Sequence, residues 1–167
     1  MNKKNLSEED IKLNFITPAL VKAGWNTKKQ IRMEYTFTAG RIIIQGKKVD
    51  RGERKSVDYL LSYKNNLPLA VVEAKANKFS IGSGLQQGID YAKTLDVPYV
   101  YSSNGDGFIE QNLLTGKVKE LKLEEFPSPE KLYQRYLVDK GINQQEEKVI
   151  LEPYYYSPNG SVAKLNL

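Results

Sequence analysis

The stretch "SVDYLLSYKNNLPLAVVEAK", residues 56–75, decides how this chain folds. Two apolar runs flank the pair Asn65-Asn66, and asparagine tolerates the positive φ angles that a tight turn requires. The pattern therefore predicts two antiparallel strands, at 56–64 and 67–76, that form a hairpin.

The hairpin also predicts which residues face each other. With the two asparagines as the turn, the facing pairs are Lys64–Leu67, Tyr63–Pro68, Asp58–Glu73 and Ser56–Lys75. Directly opposed residues have Cβ atoms about 4.5–5.5 Å apart. We therefore expect Asp58 and Glu73 to lie side by side. Lys75 follows Glu73 by two residues, which places it on the same face of the strand.

Two carboxylates opposed in this way destabilise a sheet unless a positive charge lies between them. A divalent cation and the Lys75 ammonium would supply that charge. Magnesium takes one or two carboxylates together with waters and a substrate phosphate, so Asp58 and Glu73 are candidate ligands for Mg²⁺. The alternative is a surface salt bridge from Lys75 to Glu73 or Asp58, which would contribute only about 0–1 kcal/mol.

The composition restricts the chemistry that is available. The chain has 167 residues with no cysteine and no histidine. The absence of cysteine excludes disulfide scaffolds, zinc fingers and thiol nucleophiles, and the absence of histidine excludes Ser-His-Asp catalysis. Catalysis by this chain would therefore depend on carboxylates, lysine or hydroxyl groups, together with a metal ion bound by oxygen ligands.

The net charge of +5 suits a polyanionic partner, although many proteins are mildly basic. Basic residues are concentrated at 26–32 and 46–55. Each cluster alone is equally consistent with a solvated loop. The N-terminus has no apolar segment of the kind that signal peptides carry, and no apolar run reaches the length of a membrane span.

The rest of the chain alternates helical and strand patterns. Ser7 is a candidate cap for an amphipathic helix at 7–24, which Pro18 should kink or divide. A helix at 129–140 is expected to begin after Ser128. The other predicted elements are strands at 30–38, 41–45, 98–105, 107–116 and 118–123 and a helix at 83–95. The residues after the last helix have the pattern of a linker or of a segment that packs on another surface.

The helix at 83–95 carries "LQQGIDY". Gln87 and Tyr91 are four residues apart and so share one helical face. An amide and a hydroxyl that project towards the carboxylates could hold a phosphate or a water molecule. Without the carboxylates the motif would be weak, because many half-exposed helices have such a face.

A carboxylate on one strand, Glu-x-Lys on the next and Gln-x-x-x-Tyr on the following helix resemble the PD-(D/E)XK nuclease superfamily, in its QxxxY branch. More closely, "SEEDIKLNFITPALVKAGW", "VDYLL", "LAVVEAK", "GLQQGIDYAKTLDVPYVYSSNGDGFIE" and "FPSPEKL" resemble the N-terminal nuclease domain of type I restriction enzyme R subunits. The resemblance runs from about residue 6 to residue 135 and implies an α/β fold with a central mixed sheet flanked by helices.

The resemblance also implies a function for each motif residue. Asp58 and Glu73 would hold Mg²⁺, Lys75 would be the catalytic lysine, and Gln87 and Tyr91 would be accessory residues. Glu8 on the first helix would complete the site, with its neighbours Glu9 and Asp10 as alternatives. Val57 stands where the superfamily name has proline, a position that varies in this group.

The resemblance further implies an Mg²⁺-dependent DNA endonuclease module in a cytoplasmic, membrane-free complex with the modification and specificity subunits and double-stranded DNA. R subunits continue into an ATP-driven translocase, but this chain has no phosphate-binding loop of the type Gly-x-x-x-x-Gly-Lys-Ser/Thr. We therefore expect a nuclease domain at 1–126, followed at 127–167 by a helical extension and linker towards a missing motor, where ATP would bind. The alternatives are a non-catalytic DNA-binding or assembly module of the same fold, and a Mrr-like or repair nuclease that works without a motor.

Overall fold

The structure is a computed structural model, and the following describes residues 2–39, 44–45, 48–49, 53–151, 154–156 and 162–164. Its ten strands are β1 (Ile31–Ala39), β2 (Ile44–Gln45), β3 (Lys48–Val49), β4 (Glu53–Ser62), β5 (Pro68–Ala74), β6 (Tyr99–Ser103), β7 (Phe108–Asn112), β8 (Val118–Leu121), β9 (Tyr154–Tyr156) and β10 (Val162–Lys164). Six of them form the main sheet in the order β1-β4-β5-β6-β7-β8. Strands β5 and β6 are parallel and the other neighbours are antiparallel. The predicted α/β fold with a mixed sheet and flanking helices is confirmed.

The first helix is divided, as Pro18 predicts. It comprises α1 (Glu8–Ile11), a π turn (Lys12–Ile16) and α2 (Thr17–Lys22). Proline has no N–H to donate, and the wider π turn just before it ends with the Thr17 N–H bonded to the Lys12 carbonyl. The remaining helices are α3 (Leu85–Leu95), α4 (Pro129–Lys140) and α5 (Gln144–Leu151).

Helices cover both faces of the sheet. On one face the buried residues of the first helix and of α4 join the larger core, which includes Tyr59, Tyr101 and Phe108. On the other face Ala92 of α3 packs in a smaller core with Val71 and Val100. The β5–α3–β6 connection carries the chain over this second face, which brings α3 against the end of β5.

The turn between β4 and β5 differs from the predicted two-residue hairpin. A short 3₁₀ turn, Lys64–Asn66, joins the strands, and Asn66 has a φ of 58°. Tyr63 does not face Pro68, since Ser62 takes that position and the register shifts between Leu61 and Ser62. The irregularity restores the predicted register further along, because Tyr59 pairs with Val72 and Leu61 with Ala70. The register ends at Tyr59–Val72, and Asp58 and Glu73 are the next residues on the two strands. They lie side by side as predicted, joined by a hydrogen bond from the Asp58 N–H to Glu73 Oε1, although the predicted turn is not formed.

Parts of the sequence prediction fall outside the described residues. The strand expected at 41–45 is described only at Ile44–Gln45, and the basic cluster at 46–55 only in part. After α4, where the sequence predicts a linker, the chain forms α5 and the antiparallel pair β9–β10. In the described part of the chain, no helix combines the length and the apolar character needed to cross a bilayer.

Candidate active site

Asp58 and Glu73 lie side by side where β4 and β5 pass each other. The Asp58 N–H donates to Glu73 Oε1 at 3.2 Å. In the reverse direction, the Ala74 N–H donates to Asp58 Oδ2 at 2.7 Å. Each carboxylate is therefore held by a backbone N–H of the opposite strand.

This pair of carboxylates is buried. Asp58 is 8% exposed and Glu73 is 4% exposed. Burial, and then the negative charge of Asp58, raise the pKa of Glu73 from 4.5 to about 9. The site thus holds two acidic groups that repel each other, which is the electrostatic condition that a bound cation relieves.

Glu8 is the residue of the first helix that approaches this pair electrostatically. It is half-buried, and its pKa is raised by burial and by the charge of Asp58, while Lys12 and Lys75 act in the opposite direction. Asp10 is instead part of a capping box, in which its carboxylate accepts from the Ser7 N–H at 3.1 Å. Glu9 pairs with Lys12 at 3.0 Å. These contacts favour Glu8 over its two neighbours as the acidic residue of the predicted site.

Lys75 follows the end of β5, and its N–H donates to the Ser103 carbonyl of β6 at 2.9 Å. It is therefore outside the β4–β5 ladder, and the predicted pairing with Ser56 is not formed; Ser56 pairs with Thr36 of β1. Among the described residues no carboxylate lies within 4.0 Å of the Lys75 ammonium, whereas Asp58 pairs with Lys12. The alternative of a salt bridge from Lys75 to Asp58 or Glu73 is therefore not observed.

Two glycines bring α3 against this end of β5. A Cβ at Gly84 would lie 3.2 Å from Glu73 Cβ and 3.5 Å from Lys75 Cγ. A Cβ at Gly88 would lie 2.7 Å from Val100 Cγ1 and 3.4 Å from Glu73 Cγ. Glu73 and Lys75 therefore both face α3, and only glycine at position 88 permits this approach without displacing the buried Val100.

Gln87 and Tyr91 occupy the helical face that these glycines begin, since residues 84, 87, 88 and 91 follow the i, i+3, i+4, i+7 spacing. Gln87 Nε2 donates to the Tyr91 hydroxyl at 2.6 Å. The Tyr91 ring contacts Phe37 of β1 edge-to-face, with 5.3 Å between centroids. The two polar groups are thus held together at the exposed border of the site.

Lys12 is a site residue that the sequence analysis did not identify. Its side chain is 2% exposed, and its ammonium lies 3.0 Å from Asp58 Oδ1. Its position in the sequence could have identified it, because Lys12 lies one helical turn before Ile16 and two turns before Leu20, and both of these residues are fully buried. A lysine in such a core-facing row requires an acidic partner nearby.

The donor set fits a magnesium ion. Asp58 and Glu73 provide two adjacent carboxylates, and Mg²⁺ is commonly held by one or two together with water and substrate oxygens. In the described ranges no group of three or more Asp, Glu, His or Cys side chains could hold a metal ion. A bound ion would therefore leave most of its coordination sphere to water and substrate, as a catalytic ion does.

An α/β fold with this carboxylate site defines a class of nuclease-like domains, and comparison with known proteins specifies the family. Residues 8–127 match the family described as Type I restriction enzyme R protein N terminus. The chain belongs to this family of type I restriction enzyme R subunits.

Two relatives agree with this assignment. The chain is 43% identical over 164 residues to the type I restriction enzyme EcoAI endonuclease subunit of Escherichia coli, a match that covers 96% of this chain and 20% of the relative. A solved fragment described as an HsdR subunit of a type I restriction enzyme from Vibrio vulnificus YJ016 superposes with a TM-score of 0.76 at 41% identity, covering 90% of this chain and 29% of that one. The chain thus spans about one fifth of the length of the curated relative.

Proposed function

We propose that this chain is the Mg²⁺-dependent DNA endonuclease domain of a type I restriction enzyme R subunit, with a PD-(D/E)XK site. The observation that carries the proposal is the buried pair Asp58–Glu73, which follows the last β4–β5 pair, Tyr59–Val72, and is joined by the hydrogen bond from the Asp58 N–H to Glu73 Oε1. Lys75 lies beyond the end of the same strand. Lys12 pairs with Asp58 at 3.0 Å, but Glu73 has no cation partner among the described residues. Lys75 stays outside both carboxylates, on the side where α3 approaches.

The residues would divide the work as follows. Asp58 and Glu73 would hold Mg²⁺, which when bound supplies stabilisation of the negative charge that develops on a phosphodiester. Lys75, whose ammonium has no carboxylate partner among the described residues, is free to orient a water or contact a phosphate oxygen. Gln87 and Tyr91 would position the DNA backbone at the border, and Glu8 would close the site from the first helix.

The remaining steps are assigned to parts of the enzyme outside these residues. ATP-driven translocation would reside in the portion of the R subunit that this chain does not cover. Modification and specificity subunits would assemble with the R subunit on double-stranded DNA in the cytoplasm. Within the chain, we propose residues 1–126 as the nuclease domain and residues 127–167 as the extension towards the motor.

The test uses the R subunit that carries this domain, assembled with its partner subunits. Asp58→Ala, Glu73→Ala and Lys75→Ala should each abolish DNA cleavage, because each removes a group from the centre of the site. ATP hydrolysis and translocation should persist in all three. Lys22→Ala, an exposed residue of the first helix, is a matched control and should leave cleavage unchanged.

Retention of cleavage by all three variants would overturn the assignment. A domain of this fold that only binds DNA would give a different result. Its affinity for DNA would fall with salt concentration, without any dependence on Mg²⁺ that Asp58 or Glu73 controls. Mg²⁺ titrations of DNA binding by the Glu73→Ala variant and the unmodified protein distinguish the two functions.

A further inference from the structure

The buried Lys12 ammonium joins three structural elements at the edge of the site. It pairs with Glu9 Oε1 of α1 at 3.0 Å and with Asp58 Oδ1 of β4 at 3.0 Å, and it also pairs with Glu34 of β1. Burial alone would lower the pKa of Lys12, but the hydrogen bonds to Glu34, Glu9 and Asp58 outweigh it and raise that pKa. Lys12 therefore carries a positive charge at the position where Asp58 would meet a metal ion.

Both carboxylates also have partners other than this lysine. The backbone N–H groups of Ala74 and Asp58 already hold Asp58 and Glu73, at 2.7 Å and 3.2 Å. What Lys12 adds is charge, in a region that also contains Glu8, Glu9 and Glu34. A cation so close to Asp58 offsets the repulsion between the carboxylates and opposes the approach of a divalent ion.

Glu34 holds Lys12 from the other side. Met33 pairs with Tyr59 and Tyr35 with Val57, so Glu34 stands opposite Asp58 across the β1–β4 ladder. Glu34 has a φ of 51°, in the left-handed region, which costs a residue other than glycine about 1–2 kcal/mol. Its second carboxylate oxygen accepts from Ser56 Oγ at 3.4 Å. This unusual residue thus lies next to the ammonium and fixes it from the edge strand.

We propose that Lys12 is the built-in counter-ion of the metal-free site, and that Glu34 shares the Lys12 ammonium with Asp58 from the edge strand. The lysine stabilises the carboxylates when no metal is bound and lowers their affinity for divalent cations. This inference rests on the proposed metal site at Asp58 and Glu73.

The experiment measures Mn²⁺ binding to the 167-residue chain by the electron paramagnetic resonance of free Mn²⁺, with the thermal midpoint recorded with and without Mn²⁺. Lys12→Met should bind Mn²⁺ about tenfold more tightly, because a nearby positive charge is removed. Its midpoint should be lower without metal and should rise further on adding Mn²⁺ than that of the unmodified chain. Lys12→Arg keeps the charge and should remain close to the unmodified chain.

Glu34→Gln should bind Mn²⁺ more weakly, because it removes a negative charge and leaves Lys12 to pair more fully with Asp58. Lys22→Met and Glu120→Gln change the same charges at exposed positions and serve as controls. The opposite signs of the Lys12→Met and Glu34→Gln effects distinguish a counter-ion from a merely structural lysine, whose loss would weaken binding as well.

Weaker or unchanged Mn²⁺ binding by Lys12→Met would overturn the proposal. If that variant does not fold, Glu34→Gln decides, because Glu34 is exposed, and unchanged affinity would be the contrary result. Glu73→Ala separates the two levels of the argument. If Glu73→Ala leaves Mn²⁺ binding intact, the ion does not bind at Asp58 and Glu73. That result would overturn both the proposed function and the proposed counter-ion.

Discussion

The main sheet buries carboxylates at two places, and the two are satisfied very differently. On β7, Glu110 is 3% exposed and lies 2.9 Å from Arg135 of α4. The Tyr101 hydroxyl also donates to Glu110 at 2.6 Å. On the opposite face, Glu73 is 4% exposed and lies beside a second carboxylate, Asp58. Glu110 is thus paired with a cation, whereas Glu73 lies beside another acidic group.

The Glu110 network has a structural role, whereas we propose a catalytic role for the Asp58–Glu73 pair. The Glu110 network attaches α4 to the sheet, and it extends through Tyr99, which contacts Arg135 with its ring and donates to Asp139 at 2.8 Å. Its charges are matched within the fold, with Arg135 Nη2 2.9 Å from Glu110 Oε2. In the Asp58–Glu73 pair, Lys12 lies 3.0 Å from Asp58, whereas Glu73 has no cation partner among the described residues. Removing a charge should therefore have opposite effects on stability at the two sites.

The largest effect is expected at the satisfied network. Arg135→Met leaves the buried Glu110 with only the exposed Lys119 ammonium, 3.9 Å away, and breaking a buried ion pair costs about 3–5 kcal/mol. We expect a loss of about 3 kcal/mol in the free energy of unfolding, at the low end of this range, because the Arg135 side chain is 28% exposed. Urea denaturation measures this loss. Lys131→Met, exposed on the same helix, is the control, and an equal loss in both variants would contradict the network.

At the carboxylate pair the sign should reverse. Glu73→Gln replaces a carboxyl group that must take up a proton on folding at pH 7, and it keeps an oxygen for the Asp58 N–H. Without metal it should therefore stabilise the fold by about 2 kcal/mol near pH 7. The pKa of Glu73 rises from 4.5 in the unfolded state to about 9 in the folded state. Between these pH values Glu73 is therefore protonated when the chain is folded and ionised when it is unfolded. Stability of the unmodified chain therefore falls as pH rises from 4.5 towards 9.

The measurement is the free energy of unfolding at about pH 5 and about pH 8 in a chelating buffer, with part of the fall between them removed by Glu73→Gln. Glu110→Gln is the matched variant on the other face and should destabilise the fold at both pH values, since Arg135 loses its partner. If the two substitutions shifted stability in the same direction, the contrast between the sites would not hold.

A smaller effect is expected where α3 packs on the site. Gly88→Ala places a methyl group 2.7 Å from Val100 Cγ1, and Val100 is fully buried. Overpacking costs about 1–3 kcal/mol, from which alanine's better helix propensity recovers up to about 1 kcal/mol. A net loss of about 1 kcal/mol in urea is expected. Gly82→Ala, whose nearest neighbour would be Ile109 Cγ1 at 3.6 Å, should cost little, and equal losses would show that the close approach is not what matters.

The smallest effect on stability is expected for the hydrogen bond between Gln87 and Tyr91 at the exposed border of the site. Tyr91→Phe removes a hydrogen bond to Gln87 that is exposed, so the free energy of unfolding should change by less than about 0.5 kcal/mol. In the complete R subunit, the same change should lower the cleavage rate by up to about tenfold, the value of one hydrogen bond. A variant with unchanged cleavage would limit Tyr91 to packing against Phe37.

The sequence was sufficient for the parts of the site that are local in the chain. Asp58 and Glu73 are joined by one short turn, so alternation along two strands was enough to bring them together, even though a 3₁₀ turn and a register shift replaced the expected two-residue turn. The family resemblance was confirmed by a match over residues 8–127. The functions of all six predicted site residues stay predictions: Glu8, Asp58, Glu73, Lys75, Gln87 and Tyr91.

The parts that could not be predicted depend on long-range contacts. Lys12, Glu34 and Asp58 come from a helix and two strands, and no spacing rule joins them. The left-handed backbone at Glu34 has no sequence signal, since its neighbours follow an ordinary strand pattern. Gly88 sits mid-helix, where its need for close approach becomes clear only once β6 and Val100 lie beneath it.

The backbone conformation of Glu34 also affects how readily the outer edge of the main sheet can pair with another chain. In the described part of the chain β1 is one of the two outer strands of the main sheet, and with nine residues it is the longer one. Long, flat outer strands offer unpaired backbone groups to another chain and so promote aggregation. The left-handed residue near the middle of β1 interrupts that row and divides it into two short segments. The residue that positions a charge at the site therefore also protects the sheet against intermolecular strand addition.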